Sequence, residues 1–212
     1  MTLATLLFDL DGTLVDSLRD LAAALNRLRG ELGLAPLPLD RVRACVGDGA
    51  TLLVQRGLAE IPYEDDLLKR FLRLYGEHLL DETRVYPGIR EFLDGQERRK
   101  LAIVTNKPAA FTRPLLDGLG LTRYFPVVIG GDSCAEKKPH PEPVREALRR
   151  LGAKAETAVM IGDHHTDLRA GAAGGLRTCF CAWGLGHHGD CPYDDLAATP
   201  ADLARLYPGA SP

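Results

Sequence analysis

Two carboxylates two residues apart, Asp9 and Asp11, follow the apolar run Leu6-Leu7-Phe8, and Gly12 comes directly after them. An apolar run of this length reads as a buried strand, so both acids are expected at its carboxyl end. In open α/β sheets, ligands gather outside the carboxyl ends of the strands, and a glycine there lets the backbone approach a bound anion closely. An Asp at a strand end can also simply cap the next turn. A pair in a DxDGT string after an apolar strand asks for more than a cap. Three further polar groups occupy similar places: Thr105-Asn106-Lys107 after Leu101–Val104, Lys137-Lys138 before Pro139, and Gly162-Asp163 with Asp167 after Ala158–Ile161. Strand ends of one sheet converge on one crevice, and there Asp9, Asp11 and Asp163 can gather a hard divalent cation, Mg²⁺ being the expected one.

The elements that must position these groups follow from periodicity. After the first strand, Ser17 with Asp20 three residues on reads as a helix cap, and Leu18, Leu21, Ala22, Leu25 and Leu28 recur at helical spacing. Pro36-Leu37-Pro38 breaks the pattern, Asp40 is the expected cap of a short second helix, and Gly47-Asp48-Gly49 makes a tight turn before a helix over 51–58. A further helix is expected over 64–80. From Tyr86-Pro87-Gly88 onward, strands over 101–104, 127–129, 158–161 and 178–182 alternate with helices that include 111–119, 141–151 and 167–173. Such alternation implies a parallel sheet with right-handed crossovers. The expected fold is an α/β, doubly wound, Rossmann-like core made of residues 1–15 and 84–212, with an all-helical cap domain, 16–83, inserted after the first strand. A module at that edge of the sheet lies above the Asp pair, where it can exclude water.

Composition narrows the partners. The chain has 212 residues, 45% of them hydrophobic, and a net charge of −3, with basic and acidic residues interleaved. This argues against a nucleic-acid or anionic-membrane binder and favours a small molecule. No stretch of about 18 apolar residues occurs and Met1 leads directly into the first strand, so a cytoplasmic monomer or homodimer is expected. Cys45, Cys134, Cys179, Cys181 and Cys191 contain no CxxC pair and read as reduced thiols. Cys179 and Cys181 with His187, His188 and Cys191 suggest a soft-metal site, but period-two cysteines in an apolar strand equally serve as small packing residues.

The strings Asp9-Leu10-Asp11-Gly12-Thr13, Thr105, Lys138-Pro139, and Gly162-Asp163 with Asp167 resemble, in order, the four motifs of the haloacid dehalogenase-like hydrolase superfamily. The resemblance covers nearly the whole chain. Leu10–Ser17, Val46–Ala50, Tyr86-Pro87-Gly88 and Val104–Pro108 look most like the phosphoglycolate phosphatase branch. The resemblance implies an Mg²⁺-dependent phosphomonoesterase acting on a small phosphorylated metabolite, 2-phosphoglycolate first. Asp9 would be the nucleophile that forms an aspartyl-phosphate, and Asp11 the general acid and then base. Metal ligands would be Asp9 and Asp163 through their side chains and Asp11 through its carbonyl.

The physics agrees. A carboxylate approaching a phosphate meets repulsion of about 4 kcal/mol per unit-charge pair at 4 Å with an effective dielectric near 20. The cation and Lys138 offset it, Gly12 allows close approach, and the Thr105 hydroxyl and Asn106 can donate to the phosphoryl group. Asp11 separates ester hydrolysis from dehalogenase chemistry, which needs no proton delivered to an ester oxygen. Other sugar or nucleotide phosphatases share most of these strings. A phosphomutase would use the same pair, but the cap holds a single lysine, Lys69. A non-catalytic phosphometabolite-binding protein on the same fold is the rival outside enzymes, and it would have no need to keep Asp11 and Lys138 together.

Several side chains carry two readings. Asp48 lies where the cap turn projects toward substrate, and Arg43 and Arg56 are either partners of a substrate carboxylate or surface arginines. His164, where relatives usually place a small residue, is either a solvated loop histidine or part of the metal's outer shell with Asp167. Lys107 is a site residue or a surface loop lysine, and Lys137 is expected in solvent.

Overall fold

The computed structural model describes residues 3–209. The chain runs β1 (Thr5–Phe8), β2 (Val15–Asp16), α1 (Leu18–Glu31), α2 (Leu39–Arg43), α3 (Ala50–Gly57), α4 (Asp65–Glu77) and β3 (Arg84–Val85). It continues through α5 (Ile89–Asp94), β4 (Lys100–Val104), α6 (Ala109–Gly118), β5 (Val127–Ile129), α7 (Glu142–Leu151) and β6 (Ala158–Gly162). The last elements are α8 (His165–Ala173), β7 (Arg177–Cys181), β8 (Asp195–Ala197) and α9 (Asp202–Leu206).

Six strands form a sheet in the order β5-β4-β1-β6-β7-β8, and every pairing is parallel. The central strand β1 is buried along its whole length, which is why it reads as an unbroken apolar run. Its side chains alternate between faces. Leu6 and Phe8 pack with Phe92 and Leu93 of α5 and Leu115 and Leu116 of α6, whereas Leu7 packs with Val144, Ala147 and Leu148 of α7. The fold is the doubly wound α/β class expected, with its helices on both faces of a parallel sheet.

Helices α1 to α4 enter the chain between β1 and β4 and gather around their own apolar cluster, which includes Leu25, Leu28, Val54, Phe71 and Tyr75. Near positions 15 and 84 the chain pairs with itself, β2 running antiparallel to β3, Val15 with Val85 and Asp16 with Arg84. Asp20 fastens this junction from within α1. It is 2% exposed and accepts from Glu82 N at 2.9 Å, Thr83 N at 2.8 Å and Thr83 Oγ1 at 2.7 Å.

Some local expectations need correction. Ser17 stands at the cap position of α1, but its hydroxyl does not cap; it donates to Asp11 Oδ1 at 2.5 Å. Asp40 lies inside the first turn of α2, with Pro38 at the cap. The sheet does not end at β7: β8 adds an edge strand whose Asp195-Leu196-Ala197 sequence has no apolar run to announce it.

Candidate active site

Asp9 leaves β1 with its N–H donating to Ile161 O at 2.9 Å, so the strand register places it beside the end of β6, where Asp163 follows. Gly12 then turns the chain back, with φ of +90° and its N–H donating to Val15 O at 2.8 Å. A Cβ on Gly12 would lie 2.2 Å from Asp163 Oδ2, so only glycine lets the two strand ends come this close. Asp163 is held by Thr13 Oγ1 at 3.0 Å and by the N–H groups of Leu185 and Gly186 at 2.8 and 2.9 Å. Lys138 reaches in from the loop before α7 and is 2% exposed. Its ammonium donates to Val104 O and Asp167 Oδ1, both at 2.6 Å, and lies 2.9 Å from Asp9 Oδ1.

Charge is concentrated here. Burial, partly opposed by Lys138, pushes the Asp9 carboxyl up to about 6. Burial together with the Asp9 and Asp167 charges pushes Asp163 up to about 8. Burial alone would discharge Lys138, but Asp167 and Asp9 outweigh it and hold the ammonium charged. One carboxylate oxygen each from Asp9, Asp163 and Asp167 lies within 4.8 Å of the others. Asp9 Oδ1 is buried and ion-paired with the Lys138 ammonium at 2.9 Å, which is poorly aimed for a hydrogen bond to it. Three buried carboxylates gathered against a single ammonium fit a hard divalent cation.

The side chain of Asp11 turns away from this cluster. Lys107 Nζ donates to its two oxygens at 3.1 and 3.0 Å, and Ser17 holds Oδ1. Lys107 is therefore a buried site residue, and the loop-surface reading does not apply. Its ammonium also stands 4.5 Å from the centre of the Tyr75 ring. Above Asp9, Asp11 and Thr105 lies a cavity of about 50 Å³, roofed by Leu53, Phe71 and Tyr75 from the inserted helices and by Val46 from the loop between α2 and α3. The Tyr75 hydroxyl is buried without a partner, and burial raises its pKa to about 12, so it stays a neutral donor.

Thr105 and Asn106 line the cavity at the end of β4. Both hydrogens of the Asn106 amide, however, are taken by Gly47 O at 3.2 Å and Lys138 O at 2.9 Å. In this state Asn106 binds the cap loop rather than offering its side-chain donor to the cavity. The loop's glycines, with φ of +119° at Gly47 and +95° at Gly49, face the cavity, whereas Asp48 points the other way. Asp48 pairs with Arg56 at 2.7 Å, and Arg43 donates to Gly184 O at 3.1 Å. Neither arginine lines the cavity, because each already has a partner. Lys137 donates to Asp48 O at 3.0 Å rather than standing free in solvent, and Lys69 is exposed on α4.

His164 is buried, which removes the solvated-loop reading; its ring packs 4.1 Å from that of His165. Burial and His165 push it down to about 4. Asp167 Oδ2 accepts from His164 N at 3.0 Å while its other oxygen takes the Lys138 ammonium. Cys179 and Cys181 pack in the core and Cys191 beside Leu168 and Phe180, and neither group of possible metal ligands among the described residues includes a cysteine.

Sequence reasoning missed Ser17 and Tyr75 as site residues. Ser17 was masked by its cap position, and Tyr75 by its place in an apolar helix face.

Residues 6–181 match the haloacid dehalogenase-like hydrolase family. Among curated proteins, the chain is 40% identical to a phosphoglycolate phosphatase of Colwellia psychrerythraea, covering 87% of each chain. It is 36% identical to one of Aquifex aeolicus, covering 95% of each. Among solved structures it resembles a predicted phosphoglycolate phosphatase from Haemophilus somnus, with a TM-score of 0.89, 30% identity and coverage of 97% of this chain and 98% of that one. With the Asp pair, the buried lysine and the sheet topology all in place, the chain belongs to the haloacid dehalogenase-like hydrolase family, on its phosphoglycolate phosphatase-like branch, and is a phosphoric monoester hydrolase.

Proposed function

We propose that this enzyme hydrolyses a small phosphomonoester, 2-phosphoglycolate first among candidates, through a phosphoryl group carried on Asp9. The observation that carries the reading is the half-open cavity of about 50 Å³ whose floor holds Asp9, Asp11 and Thr105. A two-carbon leaving group suits that volume better than a sugar or a nucleoside. The named relatives on this branch are phosphoglycolate phosphatases, which supports the same choice.

The buried carboxylates fit Mg²⁺, with Asp9 and Asp163 as side-chain ligands and the Asp11 carbonyl as a third. When bound, the ion neutralises phosphate charge and lets the anionic nucleophile approach. Asp9 attacks phosphorus, and Asp11 gives its proton to the departing alkoxide. In the second half-reaction Asp11 takes a proton from water, which releases phosphate from Asp9. Lys107 and Ser17 hold the Asp11 carboxylate in place for both transfers. Lys138 compensates the charge on Asp9.

The glycolate carboxylate needs a partner other than Arg43 and Arg56. The free N–H groups that open α3 at Ala50, and the Tyr75 hydroxyl, both border the cavity and suit an anion.

The test is phosphate release from a panel of monoesters, with Mg²⁺ or EDTA and with Asp9→Asn as control. Metal-dependent release selective for phosphoglycolate and lost in the variant supports the whole reading. Preference for a larger ester overturns the substrate, and no release from any ester overturns the hydrolytic reading.

A further inference from the structure

Beside the catalytic cavity, a second group of ligand-type side chains lies where the inserted helices meet the core. His164 and His165 come from the start of α8, and Asp48 comes from the loop between α2 and α3. One donor atom of each lies within 4.8 Å of the other two. We infer that Asp48, His164 and His165 form a second metal site, selective for a borderline transition ion such as Zn²⁺, which bridges the cap loop to the core.

The donor atoms are disposed for it. Asp48 Oδ2 is held by Arg56 at 2.7 Å, while Oδ1 faces His165 Nε2 at 3.8 Å. Ligands of a tetrahedral zinc ion sit about 3.3 Å apart, given metal–nitrogen bonds of about 2.0 Å, so a small inward movement closes the set. In His164 the Nδ1 faces the Thr166 hydroxyl at 3.1 Å, which leaves Nε2 as the ligand atom. Nδ1 accepts from Thr166 N at 3.4 Å, which orients the ring; an ion on Nε2 would move the ring proton to Nδ1, where the Thr166 hydroxyl stands to accept it.

Two observations set this group apart from an ordinary polar contact. His165 Nδ1 is buried with no hydrogen-bond partner. Three imidazoles also crowd together with one carboxylate, the His187 ring centre lying 5.6 Å from that of His164 and 5.7 Å from that of His165. Two nitrogens and one oxygen favour zinc, nickel or copper over the all-oxygen chemistry of magnesium. Water would complete the shell. Because Gly47, next to Asp48, lines the cavity and touches His164, a bound ion would hold the cap loop against the core.

The test is anomalous diffraction at the zinc edge from crystals of the whole protein grown with saturating Mg²⁺ and about one equivalent of Zn²⁺. The expected result is a zinc peak between Asp48, His164 and His165. In solution, competition with a chromophoric chelator should show zinc bound at least tenfold more weakly by His165→Ala and by Asp48→Asn. Hydrogen exchange over residues 46–49 should slow on zinc addition in wild type, and equally in Asp9→Asn, which separates this site from the catalytic one. Zinc found only at Asp9 and Asp163, no zinc at all, or unchanged affinity in both variants would overturn the inference.

Discussion

The ammonium of Lys107 bridges the two carboxylate oxygens of Asp11, at 3.1 and 3.0 Å, in a site where Lys107 is 7% exposed. Burial opposes the lysine charge, but Asp11 more than restores it, and the Lys107 pKa is raised. The pair therefore fixes the proposed acid–base residue by a charged contact that solvent barely screens. Lys107→Met should reduce kcat by roughly tenfold or more with little change in KM, since proton transfer by a positioned group contributes factors of about 10² or more. It should also lower stability by roughly 3 kcal/mol, because it leaves a half-buried carboxylate without its partner. Steady-state phosphate release and urea unfolding measure the two effects, and an unchanged kcat would remove Lys107 from the machinery.

Tyr75→Phe removes a single hydroxyl, buried and unpartnered at the cavity roof. If that group receives the substrate carboxylate, KM for phosphoglycolate should rise about tenfold, given that a hydrogen bond to a charged group contributes roughly 1.5 kcal/mol or more. Hydrolysis of a monoester without a carboxylate should be unaffected. Equal effects on both substrates would sink the assignment.

Gly12→Ala places a methyl group 2.2 Å from Asp163 Oδ2 at a φ of +90°. Both the collision and the left-handed backbone oppose it. Activity should fall by at least two orders of magnitude, with weakened divalent-ion affinity by calorimetry.

Asp20→Ala would strip the acceptor from Glu82 N, Thr83 N and the Thr83 hydroxyl at the junction between the inserted helices and the core. Buried donors left without a partner cost about 1–3 kcal/mol each. A loss of roughly 3 kcal/mol in chemical denaturation is expected, and a loss below about 0.5 kcal/mol would show that water replaces the carboxylate.

The raised carboxyls make a pH prediction for the metal-free protein. Asp9 is raised to about 6 and Asp163 to about 8, whereas unfolded aspartates titrate near 3.9. Below about pH 4 both states hold these protons, and the contribution to stability is fully present. As the pH rises toward 8 the unfolded chain ionises first, so stability is lost across that window. Tm in EDTA should fall from pH 5 to pH 8, the slope should flatten in Asp163→Asn, and Mg²⁺ should restore most of the loss at pH 8 by taking the place of the protons.

Much of this protein is legible along the chain. Apolar runs such as Leu6-Leu7-Phe8 and Ala158–Ile161 mark strands buried on both faces, and the polar residues that follow them mark the catalytic edge, because a parallel sheet brings all its carboxyl ends to one side. That Asp9, Asp11, Thr105, Lys138 and Asp163 gather at one edge of the sheet could thus be expected from order and residue type. The partners of each side chain could not. Whether Lys107 sits in solvent or on Asp11, whether Arg56 faces substrate or Asp48, and whether His164 is exposed or covered by Gly47 depend on contacts between residues about 8 to 117 positions apart. Short elements such as β8 also escape notice, since their hydrogen bonds come from a neighbouring strand and leave no pattern of their own. The chemistry was set by residue type at strand ends, whereas the cap contacts that shape the cavity were decided only when tertiary packing brought separate segments together.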